Sequence, residues 1–287
     1  MKYQIVDKLK FEYGVVDICK YLQCSRSGYY DWIKRDKPTH NRLDEYKLAI
    51  ISKLHNERKT LGRRQIQMQL ESKYNLHMSL GSVHRYMTIL NIKSMRKKKY
   101  LPQKNNKQNI IHSFPNILKQ NFHPIQNQEI LLTDITYIPC KNGRLYLSAV
   151  KNMRDKSIAA YHYSDKNDVD LVMKTFQNIK LKKMSRYIVH SDQGSQYTSL
   201  EYQKYIISNE ITGSMSRKGV PYDNSPMESF FSIFKNEELK LYRKQTKREM
   251  GIIIDNFIYY YNFERPQIGL KKLTPIKYRD QFIKSSN

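Results

Sequence analysis

The sequence predicts an α/β fold, a mixed sheet with helices on its faces, preceded by small helical units. Two changes of texture along the chain carry this prediction. Apolar residues recur at helical spacing as far as residue 95, and from Glu129 they occur in strand-like runs instead. Between the two lies a basic, Asn- and Gln-rich stretch with no apolar period. The chain has 287 residues, 39% hydrophobic and 12% aromatic, enough to bury a core and to exclude a chain disordered throughout.

The first unit is expected over residues 1–36. In VVDICKYLQCSRSGYYDWIKR, Val16, Cys19, Leu22, Tyr29, Tyr30, Trp32 and Ile33 recur at near-helical spacing. The run breaks at Gln23–Cys24, and Ser25 is placed to cap the next helix. Such a helix pair serves either as a helix-turn-helix or as a small bundle for dimerisation. A three-helix unit is expected over 41–95. DEYKLAIISKLHNE carries Tyr46, Ala49, Ile50 and Leu54 on one side, RRQIQMQLESKY follows the break at Gly62, and Ser79 opens a third helix with Val83, Met87 and Leu90 inward. Arg63, Arg64 and Arg85 remain for a polyanion, as in a helix-turn-helix or winged-helix domain. The linker 96–125 begins with Arg96, Lys97, Lys98 and Lys99 and is expected to lie along phosphates.

The sheet is expected over 126–240. EILLTDITYIPC, RLYLSAVKNM after an Asn142–Gly143 turn, and SIAAYHYS read as an antiparallel meander. A helix over DVDLVMKTFQNIKL follows, then the strand RYIVHSD, the helix SLEYQKYIISNE and the strand ITGSMS. GVPYDNSP reads as an irregular loop, and Pro226 suits the first turn of the helix MESFFSIFKNEEL. The order βββ-α-β-α-β-α is the RNase H-like arrangement. Residues 241–287 are expected to add helices that buttress this core, with Tyr259–Tyr261 packed inside.

Charge sharpens the division. Of the net +25, residues 1–128 hold +16, residues 129–230 only +3, and residues 231–287 +6. A basic arm on a nearly neutral working domain points to nucleic acid. Neither a basic amphipathic helix with a clean apolar face nor a lipidation motif is present, and no apolar run approaches the roughly 18 residues that span a bilayer. MKYQIVDKLK has no signal-peptide core. Cys19, Cys24 and Cys140 form neither a disulfide framework nor a zinc spacing, so the expected compartment is the cytoplasm.

Three acids fall at sensitive places. Asp134 lies inside an apolar strand, where an ionised group is costly unless something neutralises it. Asp192 ends the fourth strand, and Glu228 stands in the first turn of the helix after Pro226, with 35 residues between the two. Gathered carboxylates persist ionised only beside positive charge, and hard cations such as Mg²⁺ or Mn²⁺ supply it. Two such ions serve in-line phosphoryl displacement. Any one of these acids could instead be a cap or an ion-pair partner; Asp134 resists that account most.

HSDQGSQYTS, SMSRKGVPYDNSPMESFFSIFKNE and YYNFERPQIGL resemble the signature segments of the OrfB protein of IS3-family insertion sequences, within the DDE transposase and retroviral integrase superfamily. DITYI is similar to the family's first-aspartate segment, FPNILKQNF to its lead-in, and SRSGYYDW to its N-terminal part. The resemblance implies an RNase H-like catalytic core with Asp134, Asp192 and Glu228 as catalytic ligands of Mg²⁺, two ions in all, with Mn²⁺ as a substitute. It implies nicking at element ends followed by 3′-hydroxyl strand transfer, without a protein–DNA covalent link. It also implies a basic residue seven positions after the glutamate, matched by Lys235, which shares a helix face with Glu228 and is either a phosphate contact or an ordinary surface lysine. Arg217 and Lys218 join the expected DNA contacts. His190, Gly194 and Asn224, with Gly219, Tyr222 and Asp223, are expected to shape the loops around the acids, although His190 could equally be a packed strand-end residue. The chain has no sustained heptads, so the family pattern implies an upstream OrfA-type helix-turn-helix and leucine-zipper partner, or a frameshift fusion with it, and a homo-oligomer on DNA. Leu131, Asn152 and the QIGL after Pro266 depart from the family's usual residues, and none of them touches the three acids.

Overall fold

A computed structural model of the chain describes residues 2–35, 44–95, 113–179, 181, 186–242 and 245–285. Arg96, Lys97, Lys98 and Lys99 lie outside the described residues. The chain divides into two compact units, Met1–Ile50 and Ile51–Asn287.

The first unit holds α1 (Lys2–Tyr13), α2 (Val15–Tyr21) and α3 (Arg26–Lys34). Gly14, at φ +73°, makes the break between α1 and α2 in a region that favours glycine. Ser25 caps α3 as expected, its Oγ accepting from Gly28 N–H at 3.2 Å. Val6, Ile18, Cys19, Tyr29 and Trp32 form the core, and the Tyr29 hydroxyl donates to Asp7 Oδ1 at 3.0 Å. Val16 and Tyr30, expected on the apolar side, are 54% and 48% exposed. The cover comes from α1, which selects the Ile18–Cys19 side of α2 instead.

The next helix is α4 (Glu45–Glu57). Its buried stripe is Ile50, Ile51 and Leu54, and the expected Tyr46 and Ala49 face solvent. Ile51 adjoins Ile50 around the helix, which turns the buried side away from Tyr46. In the second unit follow α5 (Arg63–Tyr74) and α6 (Leu80–Ile89), the latter capped by Ser79. Ile66, Leu70, Val83 and Met87 are buried between them and their neighbours. α5 is tied to the far end of the chain: Gln69 Nε2 donates to the Tyr260 hydroxyl at 3.3 Å, and Lys73 pairs with Glu264 at 3.0 Å.

The sheet comprises β1 (Gln128–Cys140), β2 (Gly143–Asn152), β3 (Ile158–Ser164), β4 (Arg186–Ser191) and β5 (Thr212–Met215), in the order β3-β2-β1-β4-β5. The first three are antiparallel, as the meander predicts; β4 pairs parallel to β1, and β5 parallel to β4. Strand alternation sends Ile130 and Leu132 to one face and Leu131 to the other. The first face packs on α9 (Ser225–Phe234) and α10 (Lys247–Tyr259) through Phe230, Phe234, Ile254 and Phe257. The second packs on α7 (Val169–Gln177) and α8 (Leu200–Ser208) through Val172, Phe176, Tyr202 and Ile206.

Two departures from the expected elements matter for the site. The loop GVPYDNSP contains a 3₁₀ turn, Pro221–Asn224, that leads directly into α9. The helix expected through Leu239 leaves α geometry at Phe234 and continues as a π-turn over Lys235–Leu239. The wider turn accompanies burial of both Glu237 and Glu238, each held by an arginine. Downstream, Thr246 and Glu249 form a capping box on α10, a second π-turn covers Tyr260–Glu264, and α11 (Pro275–Ser285) ends the description. Tyr260 and Tyr261 are buried while Tyr259 is 56% exposed and stacks on Phe263. Among the described residues no helix is long and apolar enough to cross a membrane.

Candidate active site

The sheet order makes the β1–β4 pair the point where the chain's course reverses. Chain direction brings the next strand to one side of β1 (β2) and a later one to the other (β4), an arrangement whose strand ends commonly carry sites in α/β sheets. The parallel register pairs Leu132 with His190, the last pair before β4 ends. Two residues further along the chain stand Asp134, still inside β1, and Asp192, just past the end of β4, so the register brings them to the same end of the two strands. On its other side Asp134 pairs with Ala149, whose small side chain is buried.

Glu228 comes from across the sheet, in the first turn of α9. Two bonds pin that turn to the strands. Asn224 Nδ2 donates to the carbonyl of Thr133 at 3.0 Å, one residue before Asp134. The buried Lys151, on β2, donates from Nζ to the carbonyl of Pro226 at 3.2 Å. Pro226 lies in the opening turn of α9, as the sequence predicts.

Electrostatics show how the acids feel one another. Burial, together with the negative charges of Asp192 and then Glu228, pushes the Asp134 carboxyl up to about 8, against the opposing pull of the Ile135 N–H and Lys235. Burial also raises Asp192, which the Gly194 N–H partly offsets, and burial raises Glu228. Asp134 is half-buried while Asp192 and Glu228 keep an exposed side, so the group opens to solvent. Asp134 Oδ1 accepts from Ile135 N–H at 2.8 Å and Asp192 Oδ1 from Gly194 N–H at 2.9 Å. Among the described residues no three His, Cys, Asp or Glu side chains are gathered closely enough to hold an ion between them. The acids are neighbours, and they do not form a closed cage.

Lys235 opens the π-turn that follows α9, half-buried, with Nζ 5.4 Å from the centroid of the Tyr137 ring. Burial lowers its pKa, while Tyr137 and Asp134 raise it. The lysine that the sequence singles out thus lies within electrostatic reach of Asp134. Tyr137, three residues beyond that acid on β1, went unnoticed in the sequence because a strand tyrosine carries no distinguishing pattern.

The surrounding loops are tightly built. A Cβ at Gly194 would stand 3.0 Å from Asp192 Oδ1, so this position lets the backbone N–H approach the carboxylate. His190 is wholly buried between Ser214 Oγ at 2.8 Å and Ser216 Oγ at 3.0 Å, and burial draws its pKa down to about 4. It is a neutral link between β4 and the strand beside it. Asp223, also wholly buried, accepts from Arg217 N–H, Nε and Nη2, from Asn116 Nδ2 and from Gln120 Nε2. Hydrogen bonding from the Arg217 guanidinium holds its carboxyl well below the usual carboxylate range.

The expected DNA contacts are dispersed. Arg63 and Arg64 are exposed in the first turn of α5, on an open cleft of about 470 Å³ that Arg265 and Gln267 also line. Arg85 is exposed on α6. The guanidinium of Arg217 is engaged by Asp223, and Lys218 beside it is exposed.

The mixed five-stranded sheet in this order, with helices on both faces, is the RNase H-like integrase catalytic core. The sequence model of the family described as Integrase core domain matches residues 125–221, a second of the same description matches 209–275, and an HTH-like domain matches 42–100. The chain is 30% identical over 269 residues to the insertion element IS600 uncharacterized 31 kDa protein of Shigella sonnei, covering 92% of this chain and 98% of that one. It is 26% identical over 248 residues to transposase InsF for insertion sequence IS3A of Escherichia coli K12, covering 83% of each. A solved structure, the HTLV-2 integrase catalytic core domain in complex with magnesium, is 17% identical with a TM-score of 0.43, covering 57% of this chain and 97% of that one. The chain belongs to the IS3-family insertion-sequence transposases. Its place is accordingly among proteins of DNA transposition, in the polynucleotidyl transferase superfamily.

Proposed function

We propose that this chain nicks DNA at the ends of an insertion sequence and joins the freed 3′ end to a new phosphodiester. Asp134, Asp192 and Glu228 would hold Mg²⁺, or Mn²⁺ in its place, as two ions. The observation that carries this reading is that β1 brings Asp134 to the end of β4 where Asp192 follows, while Asn224 and Lys151 bind the turn carrying Glu228 to β1 and β2. Burial and both acids raise the Asp134 carboxyl. Such a group is short of positive charge, and its neighbours offer only oxygen donors, the set that hard divalent cations prefer. Bound there, the ions would activate the attacking oxygen and stabilise the leaving one.

The chain's own residues set up the rest. The Gly194 N–H orients Asp192, while Asn224 and Lys151 hold the turn carrying Glu228 against β1 and β2. Lys235 offers a cation beside Asp134 to a phosphate oxygen of the DNA. In the first reaction a water oxygen bonds to phosphorus as the bond to the 3′ oxygen breaks; that oxygen takes a proton, leaving a 3′-hydroxyl and a 5′-phosphate. In the second the 3′-hydroxyl oxygen attacks a target phosphorus, and its proton passes to the departing 3′ oxygen of the target. No protein–DNA bond forms.

Residues 41–95 and the linker 96–125 serve as the DNA-holding arm of the catalytic core 126–240 and its extension 241–287, with 1–36 as an accessory helical unit. Arg63, Arg64, Arg85, Arg96, Lys97, Lys98, Lys99, Arg217 and Lys218 supply the phosphate contacts. An upstream OrfA-type protein, or a fusion with it, supplies end recognition, and the complex is a homo-oligomer on DNA in the cytoplasm. Isolated, the chain then binds DNA with weak sequence preference; nanomolar selectivity for one terminal repeat would sink this part. The first test is Mg²⁺- and Mn²⁺-dependent nicking of supercoiled plasmid by the parent chain and Asp192→Asn purified in parallel. Metal-dependent nicking confined to the parent supports the reading, and equal nicking by both overturns it. A strand-joining assay then separates a transposase from a nuclease.

A further inference from the structure

The turn that begins at Lys235 is held from a distance in sequence. Glu237 and Glu238, adjacent and nearly buried at 4% and 7% exposure, each have their own arginine. Arg265 grips Glu237 through two bonds, Nε to Oε2 at 3.0 Å and Nη2 to Oε1 at 2.9 Å. Arg58 reaches Glu238 Oε2 from Nη1 at 2.7 Å, with its guanidinium carbon 3.4 Å from the centroid of the Tyr260 ring. Thr60 Oγ1 donates to the carbonyl of Glu237 at 3.1 Å, a backbone group inside the π-turn. The 58–60 loop is itself held from behind, since Ser94 Oγ donates to the Thr60 carbonyl at 2.7 Å and Met95 N–H to the Lys59 carbonyl at 3.2 Å.

A π-turn is less favourable than continued α-helix and persists where outside contacts define it. Here the contacts fall two and three residues after Lys235. A change of pitch at that point rotates each later side chain relative to α9, and it also sets the direction in which Lys235 leaves the helix.

We infer that Arg58 and Thr60 are positioning residues for the carboxylate site: by clamping the π-turn Lys235–Leu239 they hold Lys235 over Tyr137 and beside Asp134. The inference rests on the reading of Lys235 as that site's cation. It assigns to the loop before α5 a part in the chemistry, although the loop touches none of the three acids.

Two variants test it on the full chain. Thr60→Val removes one hydroxyl and keeps its shape. Arg58→Met combined with Glu238→Gln removes the ion pair without leaving a buried charge unpaired. The first readout needs neither metal nor DNA: acylation of the Lys235 amine by a small reagent, followed by mass spectrometry with Lys218 as internal reference. Loss of the clamp is expected to speed labelling of Lys235 by about fivefold while Lys218 is unchanged. The second is single-turnover nicking, expected to slow about tenfold with DNA affinity kept within about twofold, and to slow no further on a Lys235→Ala background. Unchanged labelling of Lys235, or the same loss of rate with and without Lys235, overturns the inference. Circular dichroism melts verify folding, and if the double variant does not fold, Thr60→Val alone decides by the same readouts. Equal nicking by the parent and Asp192→Asn would sink the functional reading, and the labelling result would still decide the clamp.

Discussion

Two aspartates near the same end of the sheet have opposite surroundings. Asp223 is wholly buried, yet five donors converge on it and its carboxyl is held well below the ordinary range, first by hydrogen bonding from Arg217. Asp134 is less deeply buried and accepts one backbone bond, from Ile135, and its carboxyl is pushed up to about 8 by burial and by its acidic neighbours. Burial raises both carboxyls, and the supply of donors decides whether that push is overcome, as it is at Asp223 and is not at Asp134. The acid that the protein satisfies by itself holds a loop together. The acid left with one backbone partner is the one that the proposed function completes with a cation from outside.

The largest effect expected from this contrast is on activity. Asp134→Asn should reduce nicking by about a thousandfold or more, with stability in urea unchanged or slightly higher, because the cost of keeping a buried carboxyl beside two acids is gone. A clear loss of stability with activity kept would reverse the assignment of the two acids. Asp223→Ala should do the opposite first, lowering unfolding free energy by about 2 kcal/mol, a figure kept below that of a fully buried pair because Arg217 reaches solvent. Denaturant titration of both variants separates them.

The second effect is on pH. Because the folded-state pKa of Asp134 is raised, its contribution to stability declines without metal as pH rises from about 3.8 towards 8. A cation competes with that proton, so apparent Mg²⁺ affinity should rise by up to about tenfold per pH unit below 8 and then level off. Thermal shifts at graded Mg²⁺ between pH 6 and about 9 read this, and the slope should flatten in Asp134→Asn. Asp223 has the reverse sign: its depressed pKa stabilises the fold above the ordinary 3.8, and this is lost as pH falls below it. Acid titration of Asp223→Asn should show a shallower loss there.

Smaller still is Gly194→Ala, whose new Cβ would stand 3.0 Å from Asp192 Oδ1. Nicking should fall about tenfold with stability changed by less than about 1 kcal/mol, sharpening the view that Asp192 is aimed by its loop. The smallest is at the DNA arm, where Arg63→Ala or Arg64→Ala should each reduce the salt slope of DNA binding by about 1 without altering its sequence preference. An unchanged slope would remove that arginine from the phosphate contacts.

Much of this was legible in the sequence. β-branched runs marked the strands, Pro226 and Ser25 marked helix starts, and an acid inside ILLTDITYI had no bland explanation. Misreadings arose where periodicity does not say which neighbour provides the cover, as with Val16, Tyr30, Tyr46 and Ala49. The change of pitch at Lys235 was invisible because its causes, Arg58, Thr60 and Arg265, lie far away along the chain. The same holds for Lys151 on Pro226, and for Asn116 and Gln120 on Asp223: a pair formed across the fold leaves no local spacing to read.

The short strand β5 closes one margin of the sheet, and the segment before β1 is laid along it. Phe114 packs so closely over Gly213 that a Cβ there would stand 2.5 Å from its ring, Met215 N–H donates to the Pro115 carbonyl, and Ile117 N–H donates to Ser214 Oγ. The Met215 N–H that could otherwise pair with a foreign strand is already occupied, and Phe114 covers the neighbouring Gly213. A second copy adding a strand along this margin would first have to displace the Phe114–Ile117 segment. The segment thus guards the sheet against the indiscriminate main-chain pairing that leads to aggregates.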